Sequence, residues 1–462
     1  MKNHYFFYFL LITCCLRLIF FQINTHKEDQ ILETININQR QFDVVVSREA
    51  KRYFSKQEAI LCLKDDLCVL GIFETWPRLE LFDEINLYCT LKEPKNYSSF
   101  DYRKYLKKQG ISYLCLYPKI KEIRHYQGNS WRYSLWRFKQ IIVNKIDRNL
   151  EEPASGLLKA TLLGLKTELN LDTKEALTRL GLAHLLAISG LHIALLVFGL
   201  KKFIYRVKLQ KVSNLIIILF LIFYVFLIGL PVSAIRASLM ISFIFLFKLK
   251  SIKKRFYWCF LIMLAIRPAW LEELSFQLSF CAIFAIIFLL PLLDGYFWQF
   301  LAKLIRYFKK KKIIDSKFRL SKIYNLRFTR EIIKISLASL AVNIVIWPIL
   351  VFNFQSFNYL FIIYNILILP ALPFLLASGI IAIILPLSAL GFIPVYLISE
   401  YIFFISKLEA GYFEASLSVD FLIIYYLILI YLVFLSKKIK NKKVFPCLLL
   451  LVCYNLFKYL HY

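Results

Sequence analysis

The sequence predicts a polytopic α-helical membrane protein that carries one small β-rich domain outside the membrane. Hydrophobic residues make up 59% of its 462 residues, and the mean hydropathy is +0.60. These residues fall in runs long enough to cross a bilayer, which an ordinary soluble protein does not contain. A polar region of mixed charge, residues 24–178, separates the first apolar run from the others. Its length suits one small domain followed by linker helices.

The first apolar run, within residues 1–23, predicts a retained membrane anchor. A cleaved signal peptide needs small residues after its apolar run, whereas Phe21-Gln22-Ile23-Asn24 is bulky and polar. We therefore expect the anchor to stay attached to the region that follows it.

The formal net charge of +29 follows largely from the loops between the later apolar runs. Lysine and arginine crowd residues 201–211, 248–255, 303–334 and 437–443, whereas the alternating loops carry almost none. Because basic loops stay in the cytoplasm, this pattern places the N-terminus inside and residues 24–178 on the outer side.

The same alternation predicts about eleven spans. The span at 391–406 carries Glu400 and also fits an interfacial helix. We assign a transmembrane core to residues 179–390 and C-terminal transmembrane helices to residues 391–462. The predicted spans are 5–21, 180–200, 213–229, 233–248, 256–267, 274–293, 335–352, 359–385, 391–406, 419–436 and 444–461.

The outward region, residues 24–125, predicts a small antiparallel barrel. Its segments Phe42–Val46, Leu67–Phe73 and Glu84–Leu91 are rich in β-branched and aromatic residues and are separated by turn formers. A short helix is expected to end at Gly110, before a further strand. Four cysteines in this region are candidates for one or two disulfides in an oxidising compartment, with the pairing open. They are Cys62, Cys68, Cys89 and Cys115.

Basic residues dominate from residue 103 to residue 148, where the positive-inside rule does not account for them. Up to residue 124 they fit either a single-strand DNA surface with interleaved tyrosines or a plain solvated face. The candidate DNA-binding residues are Arg103, Lys104, Lys107, Lys108, Lys119, Lys121 and Arg124.

Residues 126–178 predict amphipathic linker helices, of which the first lies on the membrane. An apolar stripe recurs there at helical spacing, with Arg132, Lys139 and Lys145 off it. Membrane lipid is accordingly an expected partner. The predicted stripe consists of Trp131, Leu135, Phe138, Ile142 and Ile146.

The segment 181–192 places His184, Ser189 and His192 inside an otherwise apolar stretch. Polar groups at membrane depth are costly, so they pack against one another or line a wet pathway. Small and hydroxyl residues also serve helix packing, which is the alternative for Ser189. An intramembrane hydrolase is a weaker alternative, because no clear orienting acid accompanies Ser189 and the histidines.

Several elements in order resemble the ComEC family of competence proteins, inner-membrane channels of natural transformation. Ser275 stands where the family usually has glycine, and the last eighty or so residues match only as hydrophobic spans. Around Pro94 and residues 100–111 the chain looks like the family's outward OB-type domain. The downstream elements are 154–166, 177–192, Pro231-Val232-Ser233-Ala234-Ile235-Arg236-Ala237-Ser238-Leu239-Met240, 267–282 and 364–370.

The resemblance implies a channel for single-stranded DNA in the bacterial inner membrane. Moving a polyanion through ~30 Å of hydrocarbon requires a polar path. The candidate lining residues are His184, Ser189, His192, Arg236, Gln277, Ser279 and Asn365, with Asn343 also at membrane depth.

The resemblance also implies partners. Longer family members end in a metallo-β-lactamase-like domain, whose His-x-His-x-Asp-His ligand cluster this sequence does not contain. We therefore expect no enzyme activity, no metal site, no cofactor and a separate nuclease. A cytoplasmic helicase or motor is expected because the sequence has no P-loop, and a periplasmic DNA receptor is a further candidate. A small-solute transporter is the alternative function.

Overall fold

The computed structural model describes residues 41–435 except 54, 64–67, 97–101, 108–109, 183–187, 209–211, 311–326, 386–388, 409 and 416. The predicted anchor and the predicted span 444–461 lie outside the described residues. The described chain divides into two compact units. The β unit comprises residues up to Leu171 together with Gly379–Tyr396, and the helical unit comprises Asp172–Ser378 and the residues from Leu397 onward.

The β unit is built on one sheet in the order β6-β7-β4-β3-β1-β5-β8, with β2 paired to β3. Buried and exposed side chains alternate along β1, where Phe42, Val44 and Val46 point into the core and Asp43 does not. The strands are β1 (Gln41–Val46), β2 (Lys51–Arg52), β3 (Gln57–Cys62), β4 (Cys68–Phe73), β5 (Glu84–Tyr88), β6 (Leu91–Lys92), β7 (Ile111–Leu116) and β8 (Lys119–Arg124).

The predicted all-antiparallel arrangement is wrong for one strand pair. β4 and β7 run parallel, and β5, β6 and α1 (Tyr102–Lys107) lie between them in the chain, as the long connection between parallel neighbours requires. Gly110 follows α1 with φ +77°, a conformation that favours glycine. The OB-like topology remains a prediction.

Two disulfides join strands of the sheet. Cys62 at the end of β3 pairs with Cys68 at the start of β4, and Cys89 pairs with Cys115 in β7. The two bridges therefore connect segments that are already neighbours through backbone pairing.

Besides α1, further helical segments of the β unit follow or accompany the sheet. They are α2 (Trp131–Asp147), α3 (Ala154–Leu163) and the last residues of the helix that ends at Ile384. Gly164 ends α3 with φ +77°. The close approach of Gly379 to Leu158, whose Cδ1 would lie 2.6 Å from an added Cβ, explains the absence of a side chain at position 379.

The helical unit contains most of the remaining elements. A π-helical turn, Ala285–Leu289, joins α9 to α10. The helices are α4 (Leu171–Arg179), α5 (Gly190–Arg206), α6 (Ser213–Leu227), α7 (Val232–Phe247), α8 (Ile252–Ile266), α9 (Leu274–Phe284), α10 (Leu290–Lys310), α11 (Arg327–Phe354), α12 (Phe361–Ile368), α13 (Leu372–Ile384), α14 (Ile393–Ser406) and α15 (Val419–Leu435). The strands β9 (Ser356–Asn358) and β10 (Tyr412–Glu414) form a two-stranded antiparallel sheet.

Three described helices are long and apolar enough to cross a membrane, namely Leu274–Tyr307, Thr329–Phe354 and Phe361–Ile384. A further candidate is the pair α7 and α8, which is bent by 119° at its break. Helices α6, α14 and α15 contain shorter apolar stretches. The predicted number of about eleven spans therefore remains a prediction, because several predicted spans are individually short and others lie outside the described residues.

Candidate functional site

The polar residues at the start of α5 satisfy one another. Ser189 is the N-cap, and its Oγ accepts a hydrogen bond from the Leu191 N–H at 3.2 Å. The Ser189 N–H donates to His192 Nδ1 at 3.1 Å, which completes a capping box. The conformation of this turn thus follows from residues only three positions apart.

The capping geometry weakens the hydrolase hypothesis. Ser189 Oγ lies 2.9 Å from His192 Nδ1, a distance that also suits a nucleophile and its base. Yet His192 is buried, and its Nδ1 accepts the backbone N–H of Ser189. The pair is accounted for by helix capping.

Arg236 is the most unusual charged residue in the helical unit. It lies in the second turn of α7 and is 4% exposed. Its Nη1 donates to the carbonyl of Ser279 in α9, and its guanidinium carbon lies 5.8 Å from the centre of the Phe280 ring. Its Nε has no hydrogen-bond partner within the described part of the chain. A cation is therefore held in a largely apolar core by a neutral carbonyl and an aromatic ring.

The structure brings three separate sequence elements together around Arg236. A Cβ added to Gly190 at the start of α5 would lie 3.4 Å from Arg236 Nη2, and Ser279 belongs to α9. Ser233, one turn before Arg236, donates its hydroxyl to the carbonyl of Ile188 at 2.6 Å. The segments 188–192, 231–240 and 275–282 therefore meet at one place, which we call the Arg236 site.

Aromatic packing holds α9 in position beside α8. The ring centres of Phe276 and Phe280 are 4.4 Å apart, and Phe260 of α8 lies 5.2 Å from Phe280. All three side chains are at most 1% exposed. Close packing of this kind fixes the position of the Ser279 carbonyl relative to Arg236.

The other predicted lining residues differ in their surroundings. Gln277 is buried, and its side-chain amide donates to the carbonyl of Leu271 at 2.8 Å. Asn365 of α12 is 6% exposed, and its Oδ1 has no partner among the described residues. Asn343 bonds back to the Ser339 carbonyl within α11. No described contact joins Asn365 or Asn343 to Arg236, and His184 lies outside the described residues.

The predicted DNA-binding residues of the β unit are only partly available to a ligand. Arg103 pairs with Glu93 at 3.4 Å. Arg124 pairs with Glu122 at 2.8 Å, and hydrogen bonding to Arg124 lowers the pKa of the Glu122 carboxyl. Lys119 and Lys121 are exposed on β8, an end strand of the sheet order. Lys108 and the side chains of Lys104 and Lys107 lie outside the described residues.

The burial of side chains along helix α2 differs from the predicted apolar stripe. Ile146 is buried, and Lys139 is 4% exposed and pairs with Glu49 at 2.7 Å. The face that remains exposed carries Trp131 at 61% and Phe138 at 45%. The helix has two apolar faces, and periodicity alone does not show which of them the β unit covers.

The C-terminal half of α2 contacts the end of α13. Lys145 Nζ donates to the carbonyls of Ile383 at 2.7 Å and Leu385 at 2.9 Å. These carbonyl groups lie at the C-terminal end of a helix that is long and apolar enough to span a membrane. Lys145 therefore donates hydrogen bonds where a helix leaves its last carbonyl groups without partners.

A buried lysine network was not predicted from the sequence. Lys159 of α3 is 5% exposed, and its Nζ lies 2.7 Å from Asp147, 3.1 Å from Glu168 and 3.5 Å from Glu152. Burial opposes the charge, but the carboxylates of Glu168 and Asp147 outweigh it and raise the pKa of Lys159. In the sequence, a lysine inside the apolar run 154–163 could have indicated a buried cation that needs acidic partners.

A second unpredicted feature is the exposed loop after β4. Trp76 is 69% exposed, with the Arg78 guanidinium carbon 5.0 Å from the centre of its ring. The buried Gln57 side chain holds this loop by donating to the carbonyl of Glu74 at 2.9 Å. Glu80 and Asp83 follow this loop, and together with the distant His125 they are close enough in space to hold a metal ion.

The structure defines a helical protein with candidate membrane spans and a separate β-sheet unit. The chain belongs to the Competence protein family, whose model matches residues 161–439. This confirms the predicted membership, and the match includes all three elements of the Arg236 site. A comparison with solved structures finds no match.

A curated relative supports the same family. ComE operon protein 3 of Bacillus subtilis (strain 168) is 26% identical to this chain over 320 residues. The alignment covers 67% of this chain and 37% of that protein. The chain thus spans little more than a third of the length of this relative.

Proposed function

We propose that this protein takes part in DNA uptake during competence, and that its helical unit carries one DNA strand across the cytoplasmic membrane. The observation that carries the proposal is the Arg236 site inside the family region. A buried guanidinium without a carboxylate partner is expensive in an apolar core. It is useful where a polyanion must be attracted into that core.

The physical requirement for such transport is a polar path through hydrocarbon. Each phosphate of a DNA strand carries a negative charge, so its transfer into an apolar medium is strongly unfavourable unless cationic and polar groups replace water. Arg236, His192, Gln277 and Asn365 are buried polar residues of the helical unit. Transport in this proposal involves no bond cleavage by the chain itself.

Partners follow from the same proposal. The exposed Lys119 and Lys121 of β8 suit a single DNA strand on the outer side. A periplasmic receptor, a cytoplasmic motor and a separate nuclease would supply delivery, energy and strand degradation. A bent helix pair such as α7 and α8 also occurs in secondary transporters, so small-solute transport is the competing function.

The test is donor-DNA tracking in a transformable host from which this chain is deleted. We expect labelled DNA to reach the outer compartment but not the cytoplasm, and the wild-type chain to restore entry. Normal entry without the chain would overturn the proposal. Loss of solute uptake with normal DNA entry would establish the transporter instead.

In the same proposal, the exposed face of α2 lies on the outer surface of the cytoplasmic membrane. Lys145 ties this helix to the end of α13, and Trp131 and Phe138 remain uncovered. An apolar helix face beside a span end is stable at the level of the lipid headgroups.

A cysteine at position 138 is therefore expected to react at least about tenfold more slowly with a membrane-impermeant maleimide than one at position 144. Asn144 is the matched control, because it is exposed on a polar part of the same helix. The measurement uses Phe138→Cys and Asn144→Cys in spheroplasts, with the other unpaired cysteines replaced. Equal rates would show that this face of α2 lies in water.

A further inference from the structure

Asp83 in the β unit is a fully buried carboxylate that forms no ion pair with a lysine or arginine in the described part of the chain. Its side chain is 0% exposed. Its Oδ2 accepts the N–H of Glu80 at 2.7 Å, and its Oδ1 faces His125 Nδ1 at 3.1 Å. A buried carboxylate needs a cation beside it, and a histidine supplies one only when it is protonated. A neutral His125 therefore leaves Asp83 without a counter-charge.

A second carboxylate lies at the same place. Ligand atoms of Glu80, Asp83 and His125 all lie within 4.8 Å of one another. The half-buried Glu80 carboxylate has no hydrogen-bond or ion-pair partner among the residues that the structure describes. Two carboxylates at this separation repel each other, and burial strengthens the repulsion. One divalent cation between them would neutralise both charges.

Tyr133 of α2 shows that the charge of these carboxylates extends to the neighbouring helix. Burial raises the pKa of the Tyr133 phenol, and the carboxylates of Glu80 and Asp83 raise it further. Arg137 acts in the opposite direction, but within the described ranges it forms no ion pair with either acid. Direct pairing with Arg137 therefore does not neutralise the two carboxylates.

The backbone of the sheet holds the three side chains near one another. The N–H of Val46 in β1 donates to the carbonyl of Asp83 at 2.9 Å. Strand β5 begins at the next residue, Glu84, and pairs with β8, and His125 directly follows β8. Ligands that are ordered in this way lose little conformational entropy when they bind an ion.

We propose that Glu80, Asp83 and His125 bind one divalent transition-metal ion of the Zn²⁺ type. Two tetrahedral ligands at the usual Zn–N and Zn–O lengths are about 3.4 Å apart, close to the 3.1 Å between Asp83 Oδ1 and His125 Nδ1. An imidazole among the ligands favours zinc over magnesium or calcium, which prefer oxygen ligands. Three protein ligands leave a further position for water on the side of His125, which is 60% exposed.

This site goes beyond the proposed function and does not depend on it. It also differs from the sequence-based expectation of no metal site, because no short motif joins Asp83 to His125, which are 42 positions apart. The ion would tie the segment after β4, which carries the exposed Trp76, to the end of β8. We therefore expect Zn²⁺ to slow backbone hydrogen exchange in residues 74–83.

The test uses the full chain in lipid nanodiscs, purified without a polyhistidine tag and freed of metal by chelation. Equilibrium dialysis with elemental analysis measures bound Zn²⁺, and mass spectrometry measures hydrogen exchange in residues 74–83. His125→Ala and Asp83→Asn are each expected to weaken Zn²⁺ binding at least about tenfold and to abolish the protection of residues 74–83. An excess of Mg²⁺ or Ca²⁺ should not displace the Zn²⁺.

Glu84→Gln is the matched control, because Glu84 is an exposed acid directly after Asp83. It should bind Zn²⁺ within about twofold of wild type, since an exposed charge that does not contact the ion is screened by salt. The unpaired cysteines could also bind Zn²⁺, but they are the same in wild type and in every variant. The difference between proteins therefore reports on the proposed site.

Equal Zn²⁺ binding and equal protection in wild type and His125→Ala would overturn the proposal. Equal weakening by Glu84→Gln and His125→Ala would also overturn it, because it would show attraction to general negative charge. Protection that rises at acidic pH and does not change with Zn²⁺ would replace the metal site by an ion pair between protonated His125 and Asp83. If Asp83→Asn does not fold, His125→Ala carries the test, because His125 is largely exposed.

Discussion

Replacing Arg236 by glutamine is expected to lower transformation by about a hundredfold. Removing one partner of a desolvated, charge-assisted contact costs roughly 2–5 kcal/mol, and each 1.4 kcal/mol is a factor of about ten. The contact in question is between the guanidinium and a strand that must pass through an apolar unit. The measurement is transformation frequency in a deletion strain that carries each variant, with membrane levels of the chain checked by immunoblot.

The lysine variant and a control separate charge from position. Arg236→Lys keeps the charge without the forked donors and is expected to lose about tenfold. Lys254→Gln should transform within about threefold of wild type, because Lys254 is an exposed cation of α8 in the same unit. A purely structural role for Arg236 predicts a lower amount of protein and unchanged transformation per molecule. That result would remove Arg236 from the pathway.

Replacing Lys159 by methionine is expected to lower the free energy of unfolding of the β unit by about 3 kcal/mol. Methionine fits a similar volume but leaves Asp147, Glu152 and Glu168 without their shared cation. Glu168 is the most buried of these acids, with a side chain only 17% exposed, whereas Asp147 at 43% regains water more readily. Because the acids are partly exposed, we expect the loss of unfolding free energy to be at the lower end of the range for buried ion pairs.

A double substitution tests this network. Adding Glu168→Gln to Lys159→Met should recover part of the loss, because it removes the most buried unpaired charge. Lys51→Met is the control, since Lys51 is exposed on β2 of the same unit, and we expect a change within about 0.5 kcal/mol. The measurement is thermal unfolding of the detergent-solubilised chain. Equal effects of Lys159→Met and Lys51→Met would show that the network does not stabilise the unit.

The pH dependence of this contribution follows from the raised pKa of Lys159. A cation whose pKa is raised by folding stabilises the fold below its ordinary value of 10.5 and loses that effect as the pH rises above it. Between neutral pH and that value, the network should therefore contribute a constant stability.

Local patterns account for the features that were predicted well. The strand Phe42–Val46, the end of α1 at Gly110 and the helix from Trp131 all depend on residues within one or two turns of each other. The Ser189 and His192 cap was not predicted, although it is equally local, because both residues were assigned to the lining of a pathway. The family motifs also occur in order along the chain, so membership could be predicted without any contact.

Contacts between distant residues account for the features that the sequence left open. It did not show that Ser279 would offer its carbonyl rather than its hydroxyl to Arg236, or that Gly190 would lie beside that side chain. The parallel pairing of β4 with β7 and the covering of Ile146 in α2 are further examples. Each depends on which surfaces pack together.

The sequence by itself determined the class of the protein, because hydropathy and the placement of basic loops are properties of short segments in a bilayer. It also determined the family, through motifs that are contiguous in the chain. Only the tertiary structure decided that three of those motifs surround one buried guanidinium. The physical reason is that helix packing is set by the fit of whole surfaces, and the residues that meet across such surfaces are separated by tens of positions in sequence.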